Sequence, residues 1–157
     1  KMAMENIYTP TALILSRQDV ASVPNTSAEG VKKGAYVVSK DENPQVVMIA
    51  SGSEVSTLMA GAELLRAEGV RLQIVSVPSE AIFRQQSKEY QAEVLPQGVA
   101  RFGLTAGLPC NLEGLVGEHG TVWGLNSFGF SAPYKVLDEK LGFTAQNVYD
   151  QVKALLS

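Results

Sequence analysis

An arginine set at the end of an apolar run is the residue of this chain best suited to chemistry. Thr11-Ala12-Leu13-Ile14-Leu15 reads as a buried strand, and Ser16-Arg17-Gln18 follows it directly. Ligands of open α/β sheets bind just outside the carboxyl ends of strands. A guanidinium there offers five donors in a planar fork that matches phosphate or carboxylate. Arg17 is therefore the candidate anion-binding residue. On spacing alone a plainer role stays open, because an arginine after a strand also solvates a loop or pairs with a nearby acid.

The remaining chemical side chains carry weaker signals. Ala50-Ser51-Gly52-Ser53-Glu54 lies between an apolar strand and a helix start, where free amides attract anions. It lacks the three-glycine dinucleotide fingerprint and the phosphate-loop lysine, and the Glu54 carboxylate would compete for those amides. The Ser51 to Glu54 spacing reads instead as a capping box. His119, the only histidine, sits in Gly117-Glu118-His119-Gly120 with no nucleophile motif beside it, so it reads as a loop residue. Cys110 is the only cysteine; with no CxxC neighbour or histidine cluster it offers no metal site and reads as a small buried hydrophobe. Glu63, Glu68, Glu89 and Glu93 fall on solvated helix faces. No catalytic, cofactor-binding or metal-binding constellation is expected within the chain.

These residues must be positioned by alternating strands and helices. Val46 to Ala50 is a continuous apolar run of the kind buried on both faces of a sheet. The period then changes: Val55, Leu58, Met59, Ala62 and Leu65 recur every three or four residues, the stripe of a helix lying on a sheet, and Gly69 ends it. Leu72 to Val77, Val99 to Leu104 and Thr121 to Leu125 supply further strands. An irregular helix from Ser79 to Val94 and a short one from Leu108 to Val116 fall between them. Two helices close the chain, one after a Ser131 hydroxyl cap and Pro133 and ending at Gly142, the other capped by Thr144 with Phe143 stapled to Val148. Ala35 to Ser39 is joined to its successor by too short a turn for a crossover, so it should run antiparallel at an edge. The expected fold is α/β: three layers, α/β/α, around a mostly parallel five-stranded sheet with one antiparallel edge strand. Ala21 to Gly34, rich in Ser, Asn, Gly and Lys, reads as a linker.

Composition excludes several classes of function. With 157 residues, 45% hydrophobic and 18% charged, the chain suits one principal domain. Its net charge of -3 is spread without blocks, which argues against a nucleic-acid or anionic-membrane surface. A lone cysteine forms no intrachain disulfide and suits a reducing cytoplasm. No apolar run approaches the roughly 18 residues of a membrane span, and no signal-peptide core is seen.

Several of these segments, taken in order, resemble the carboxy-terminal part of transketolase. Pro10 to Gln18 resembles the strand leaving the family's pyrimidine-binding domain, and Gly34-Ala35-Tyr36-Val37 with Ile49 to Val55 resembles the start of its third domain. Val75-Ser76-Val77-Pro78, Phe83 to Gln86, Tyr90 to Pro96, Phe128 to Pro133 and Gly142-Phe143-Thr144 follow in the family's order. The resemblance implies that residues 1–30 are the end of a pyrimidine-binding domain plus linker and residues 31–157 a transketolase C-terminal domain. It implies, for the whole enzyme, transfer of a two-carbon ketol unit between sugar phosphates in the pentose phosphate pathway, with thiamine diphosphate and a divalent cation (Mg or Ca) bound by upstream domains, in a cytoplasmic homodimer. To this chain it assigns Arg17 as the grip on the substrate phosphate, and no cofactor. Asp19 and Thr105 depart from the family's usual asparagine and glutamate. Two other readings stand beside this one: a regulatory nucleotide- or anion-binding module, and the third domain of a related enzyme such as a 2-oxoacid dehydrogenase β chain or deoxyxylulose phosphate synthase.

Overall fold

The computed structural model describes residues 1–157 and has five strands in one sheet. They are β1 (Tyr36–Lys40), β2 (Val46–Ala50), β3 (Leu72–Ser76), β4 (Ala100–Leu104) and β5 (Thr121–Trp123), in the spatial order β1-β3-β2-β4-β5. β1 runs antiparallel to β3 at the edge and every other pairing is parallel. The fold expectation is met, and the physical reason is visible in β2. All five of its residues are buried, and the period of two sends Val46, Met48 and Ala50 into one core while Val47 and Ile49 enter the other.

Helices cover both faces. α3 (Glu54–Ala67) and α8 (Ala145–Leu156) pack on the first, where Leu58, Ala62 and Leu65 meet Val148 and Val152. α4 (Glu80–Arg84), α5 (Lys88–Val94) and α6 (Cys110–Val116) cover the second through Phe83, Val94, Leu112 and Leu115. The chain leaves β2 toward β3 on one side and enters β4 on the other, so the helices of the two crossovers fall on opposite faces.

α3 is tied to the sheet edge by a charge pair. The Arg66 Nε donates to the two carboxylate oxygens of Asp41 at 3.2 and 3.0 Å, and the Leu72 amide donates to Asp41 Oδ2 at 3.0 Å. Burial pushes the Asp41 carboxyl up, but these hydrogen bonds and the guanidinium charge outweigh it and hold it below its ordinary value. The unfolded chain therefore binds a proton more readily in acid, so the stabilisation is present above the usual aspartate range and is lost as pH falls through the folded value. Asp41→Asn is expected to cost about 1–2 kcal/mol at pH 7, allowing for solvent screening of a half-exposed pair. In urea melts the gap from wild type should narrow as the pH falls below the usual aspartate range; a gap of unchanged size in acid would reject the ion pair as its source.

The structure corrects several expectations. Ser79 to Val94 is two helices, because the Ser79 and Ser87 hydroxyls each accept an amide and start a separate helix. The capping box at Ser51 is not formed: Ser53 stands at the N-cap of α3 in helical conformation with no side-chain cap. Pro133, and not Ser131, precedes α7 (Tyr134–Leu141), and no side chain caps it. Within the expected linker lies α2 (Ala28–Lys32), capped by the Ser27 hydroxyl, with Gly30 buried against Tyr36. Cys110 is exposed because it opens α6 at the end of a surface loop. Gly142 and Thr144 act as expected, Gly142 ending α7 in the left-handed region and Thr144 accepting the Asn147 amide at 3.2 Å.

The largest correction concerns Thr11 to Leu15. The segment following α1 (Met2–Glu5) is no strand, and Leu13, Ile14 and Leu15 are 70%, 96% and 80% exposed. The segment pairs with neither edge strand of the sheet, β1 or β5. An extended run without a pairing strand has no partner for its amides and stays in solvent.

Candidate functional site

Arg17 lies over the carboxyl ends of β2 and β4, where the order of the sheet reverses. It lines a cavity of ≈ 700 Å³ with the turn after β2, the loop after β4 and one face of α7. The arginine is exposed and forms no ion pair with any acid of the chain. Within this chain its guanidinium therefore has no acid partner.

Two loops build the floor. The turn Ser51–Ser53 carries the chain from β2 into α3, which presents Glu54 in its first turn. The loop after β4 is held by backbone bonds, with the Thr105 amide donating to the Trp123 carbonyl at 3.0 Å and Leu125 to Gly107 at 2.9 Å. The Thr105 hydroxyl accepts the Gly107 amide at 3.1 Å and so works within its own turn. α7 adds Asp138 to the lining, and the Trp123 Nε1 donates to the Leu141 carbonyl at 3.0 Å, securing the end of that helix.

The electrostatics are mixed. Burial pushes the Glu54 carboxyl above its ordinary value, with Asp138 adding to the rise, against hydrogen bonds from Ser53 and from the amides of Glu54 and Ala106. Asp138 is also raised by burial. Glu54 thus accepts its own amide and that of Ala106, and its carboxylate would compete with an anion at this turn.

The other sequence candidates do not converge here. His119 lies exposed in a turn before β5, and Glu63, Glu89 and Glu93 are exposed on helices, as expected, whereas Glu68, in the turn after α3, accepts from the Tyr149 hydroxyl and the Lys153 ammonium of α8. No three His, Cys, Asp or Glu side chains come close enough to hold a metal ion. Sequence reasoning missed Glu54 and Asp138 as cavity residues. Glu54 sits where a strand at the switch point meets a helix, which was the available signal; nothing in the spacing announces Asp138.

Comparison with known proteins decides the family. Residues 34–144 match the model for the transketolase-like TK C-terminal domain. The chain belongs to that family. This transketolase-type domain is 41% identical over 162 residues to the transketolase of Geobacillus stearothermophilus, covering 99% of this chain and 24% of the relative. It is 39% identical over 160 residues to the chloroplastic transketolase of Craterostigma plantagineum, covering 99% and 31%. The solved transketolase of Leishmania mexicana superposes with a TM-score of 0.92 at 37% identity, over 99% of this chain and 22% of that one. The transketolase-type domain therefore spans about a quarter of the length of the relatives it matches. None of its helices is long and apolar enough to cross a membrane.

Proposed function

We propose that this chain is the carboxy-terminal part of a transketolase that transfers a two-carbon ketol unit from a ketose phosphate to an aldose phosphate in the pentose phosphate pathway, with Arg17 holding the substrate phosphate. The observation that carries the role is the unpaired guanidinium at the rim of the cavity above β2 and β4. A free guanidinium fork makes two parallel charge-assisted bonds to a phosphate without first giving up an acid partner.

Residues 1–30 are read as the end of a pyrimidine-binding domain with its linker, and residues 31–157 as the domain proper. The start of the family match at residue 34 and the solvent-exposed Thr11 to Leu15 segment support the division. Leu13, Ile14 and Leu15, together with Phe128 at 97% exposed, form apolar surface suited to upstream domains of the polypeptide and to a homodimer. A cytoplasmic enzyme fits the lone free cysteine.

Transketolase chemistry relies on thiamine diphosphate, which when bound would supply the electron sink for carbon-carbon bond cleavage, and on a divalent cation that would hold its diphosphate. The side chains of this chain do not fit that group. No metal-ligand cluster is present, and the glycine turn after β2 leads into the Glu54 carboxylate, which would repel a diphosphate. The group belongs to the upstream domains, and the isolated chain is expected to be inactive. The contribution of these residues is confined to the phosphate end of the substrate, which they bind and orient.

The test is ketol transfer by the complete enzyme with phosphorylated and unphosphorylated forms of one sugar. Loss of a charge-assisted hydrogen bond costs about 1.5–3 kcal/mol, so Arg17→Ala should raise KM for the phosphorylated sugar about ten- to a hundredfold. Equal effects on both sugars would overturn the phosphate role.

A further inference from the structure

At the amino end of β4, the opposite end of that strand from the Arg17 cavity, a second opening of ≈ 280 Å³ lies among α4, α5 and α6. Every wall comes from residues 83–115, inside the segment matched to the family, so none of it is built by residues 1–30. Arg84, Lys88 and Arg101 line it with the amides of Gln91 and Gln97, and no aspartate or glutamate does.

The three cations differ in what holds them. Arg84 is bound to Glu80 within α4, its Nε donating to Oε1 at 2.7 Å, and its Nη2 donates to the Gly114 carbonyl at 3.1 Å. A Cβ at position 114 would stand 2.6 Å from that Nη2, so the bare backbone of α6 is what lets the guanidinium lie along the wall. Arg101 is half-buried and meets the ends of two helices: Nη1 donates to the Leu115 carbonyl at 2.9 Å, and Nη2 to those of Leu95 and Pro96 at 3.0 and 3.1 Å. That leaves one N–H on Nε and one on Nη1 without an acceptor in the chain. The helix ends offset its charge with partial charges only, and burial disfavours the charged form. Lys88 is exposed and its ammonium reaches the Gln91 Oε1 at 3.5 Å. Neither Lys88 nor Arg101 forms an ion pair with an acid of the chain.

We propose that this opening is a second anion site, which takes a small phosphate-bearing molecule between Arg101 and Lys88. A guanidinium with donors to spare and an ammonium together supply the charge-assisted bonds that phosphate oxygens accept. The volume falls below the roughly 300–1,000 Å³ of pockets that enclose drug-sized ligands, so a phosphate group with few further atoms fits and a nucleotide does not. Inorganic phosphate and the phosphate end of a small sugar ester share this chemistry. The site is separate from Arg17, and either reading can fail without the other.

The test is hydrogen-deuterium exchange of the complete enzyme, read on peptides from residues 84–101, with inorganic phosphate, with an aldose phosphate in the absence of a ketose donor, or with sodium chloride at matched ionic strength. Phosphate should slow exchange of those peptides in wild type and to the same degree in Arg17→Ala, whose proposed substrate site has lost its cation. Lys88→Gln changes one exposed side chain and removes one charge-assisted bond, so half-protection should need about tenfold more phosphate. Protection by the aldose phosphate at lower concentration than by inorganic phosphate would support the site with the ester as occupant, and the reverse order would support it with the free ion. Absence of protection, protection matched by chloride, protection lost in Arg17→Ala, or a response unchanged in Lys88→Gln would each overturn the second site.

Discussion

Gly34→Ala is expected to lower the melting temperature of this domain by about 10 °C, the steepest loss from any single added methyl group. Gly34 joins α2 to β1 with φ at +82°, and a Cβ there would meet the Ser79 carbonyl oxygen and the Phe83 amide nitrogen, with the Ile82 carbonyl carbon at 2.9 Å. These are backbone atoms of the α4 start and cannot swing aside. The left-handed conformation costs about 1–2 kcal/mol for a residue with a Cβ, and overpacking adds about 1–3 kcal/mol. For a chain of this size each kcal/mol moves the midpoint about 2–4 °C. Gly69→Ala is the internal control, since Gly69 has φ at +80° and open space around it. It should lose only the conformational part. Equal losses at the two positions would show that crowding against α4 is not the cause.

The Gly34 contact reaches the candidate site. The Ser79 amide donates to the Gly34 carbonyl at 2.9 Å, and Pro78 beside it lines the cavity under Arg17. Gly34→Ala should therefore also raise KM for the phosphorylated sugar in the complete enzyme.

Phe102→Ala carries the second large expectation, a loss of about 3–5 kcal/mol of unfolding free energy. Phe102 is fully buried in β4 and is the largest such side chain. It belongs to the core shared by Met48, Leu58 and Val148, where β2, α3 and α8 meet. Removing its ring leaves a cavity in a region where the strands and two helices constrain one another and cannot collapse inward. Denaturant titration should show the midpoint falling with an unchanged slope; a loss under about 1 kcal/mol would mean that the core relaxes into the space.

Much of this architecture was legible before any coordinates. Val46 to Ala50 carried its burial in an unbroken apolar run, and the three-four spacing of Val55, Leu58, Ala62 and Leu65 named the face of α3 that packs. Gly142 and Thr144 marked their helix ends because a left-handed stop and a hydroxyl cap are local chemistry. Where two local signals competed, spacing misled. Ser51 and Glu54 have the separation of a capping box, yet the turn after β2 places Ser53 at the helix start and spends its hydroxyl on Glu54.

The apolar run at Thr11 to Leu15 shows the limit most clearly. Its pattern says strand, but a strand exists only when another offers it a ladder, and that depends on which chain segments are neighbours in space. The same limit hid the approach of the Glu54 and Asp138 carboxyls in one cavity and the contact of Ser16 with Ser53, residues 37 positions apart. The sequence by itself determined the elements, the two-faced sheet and the placing of a phosphate-suited cation beside an apolar run, because periodicity, capping and side-chain chemistry act over a few residues. Only the tertiary structure decided that Arg17 lines the same cavity as Glu54 and Asp138 at the switch point, because that depends on how distant segments approach across the carboxyl ends of β2 and β4.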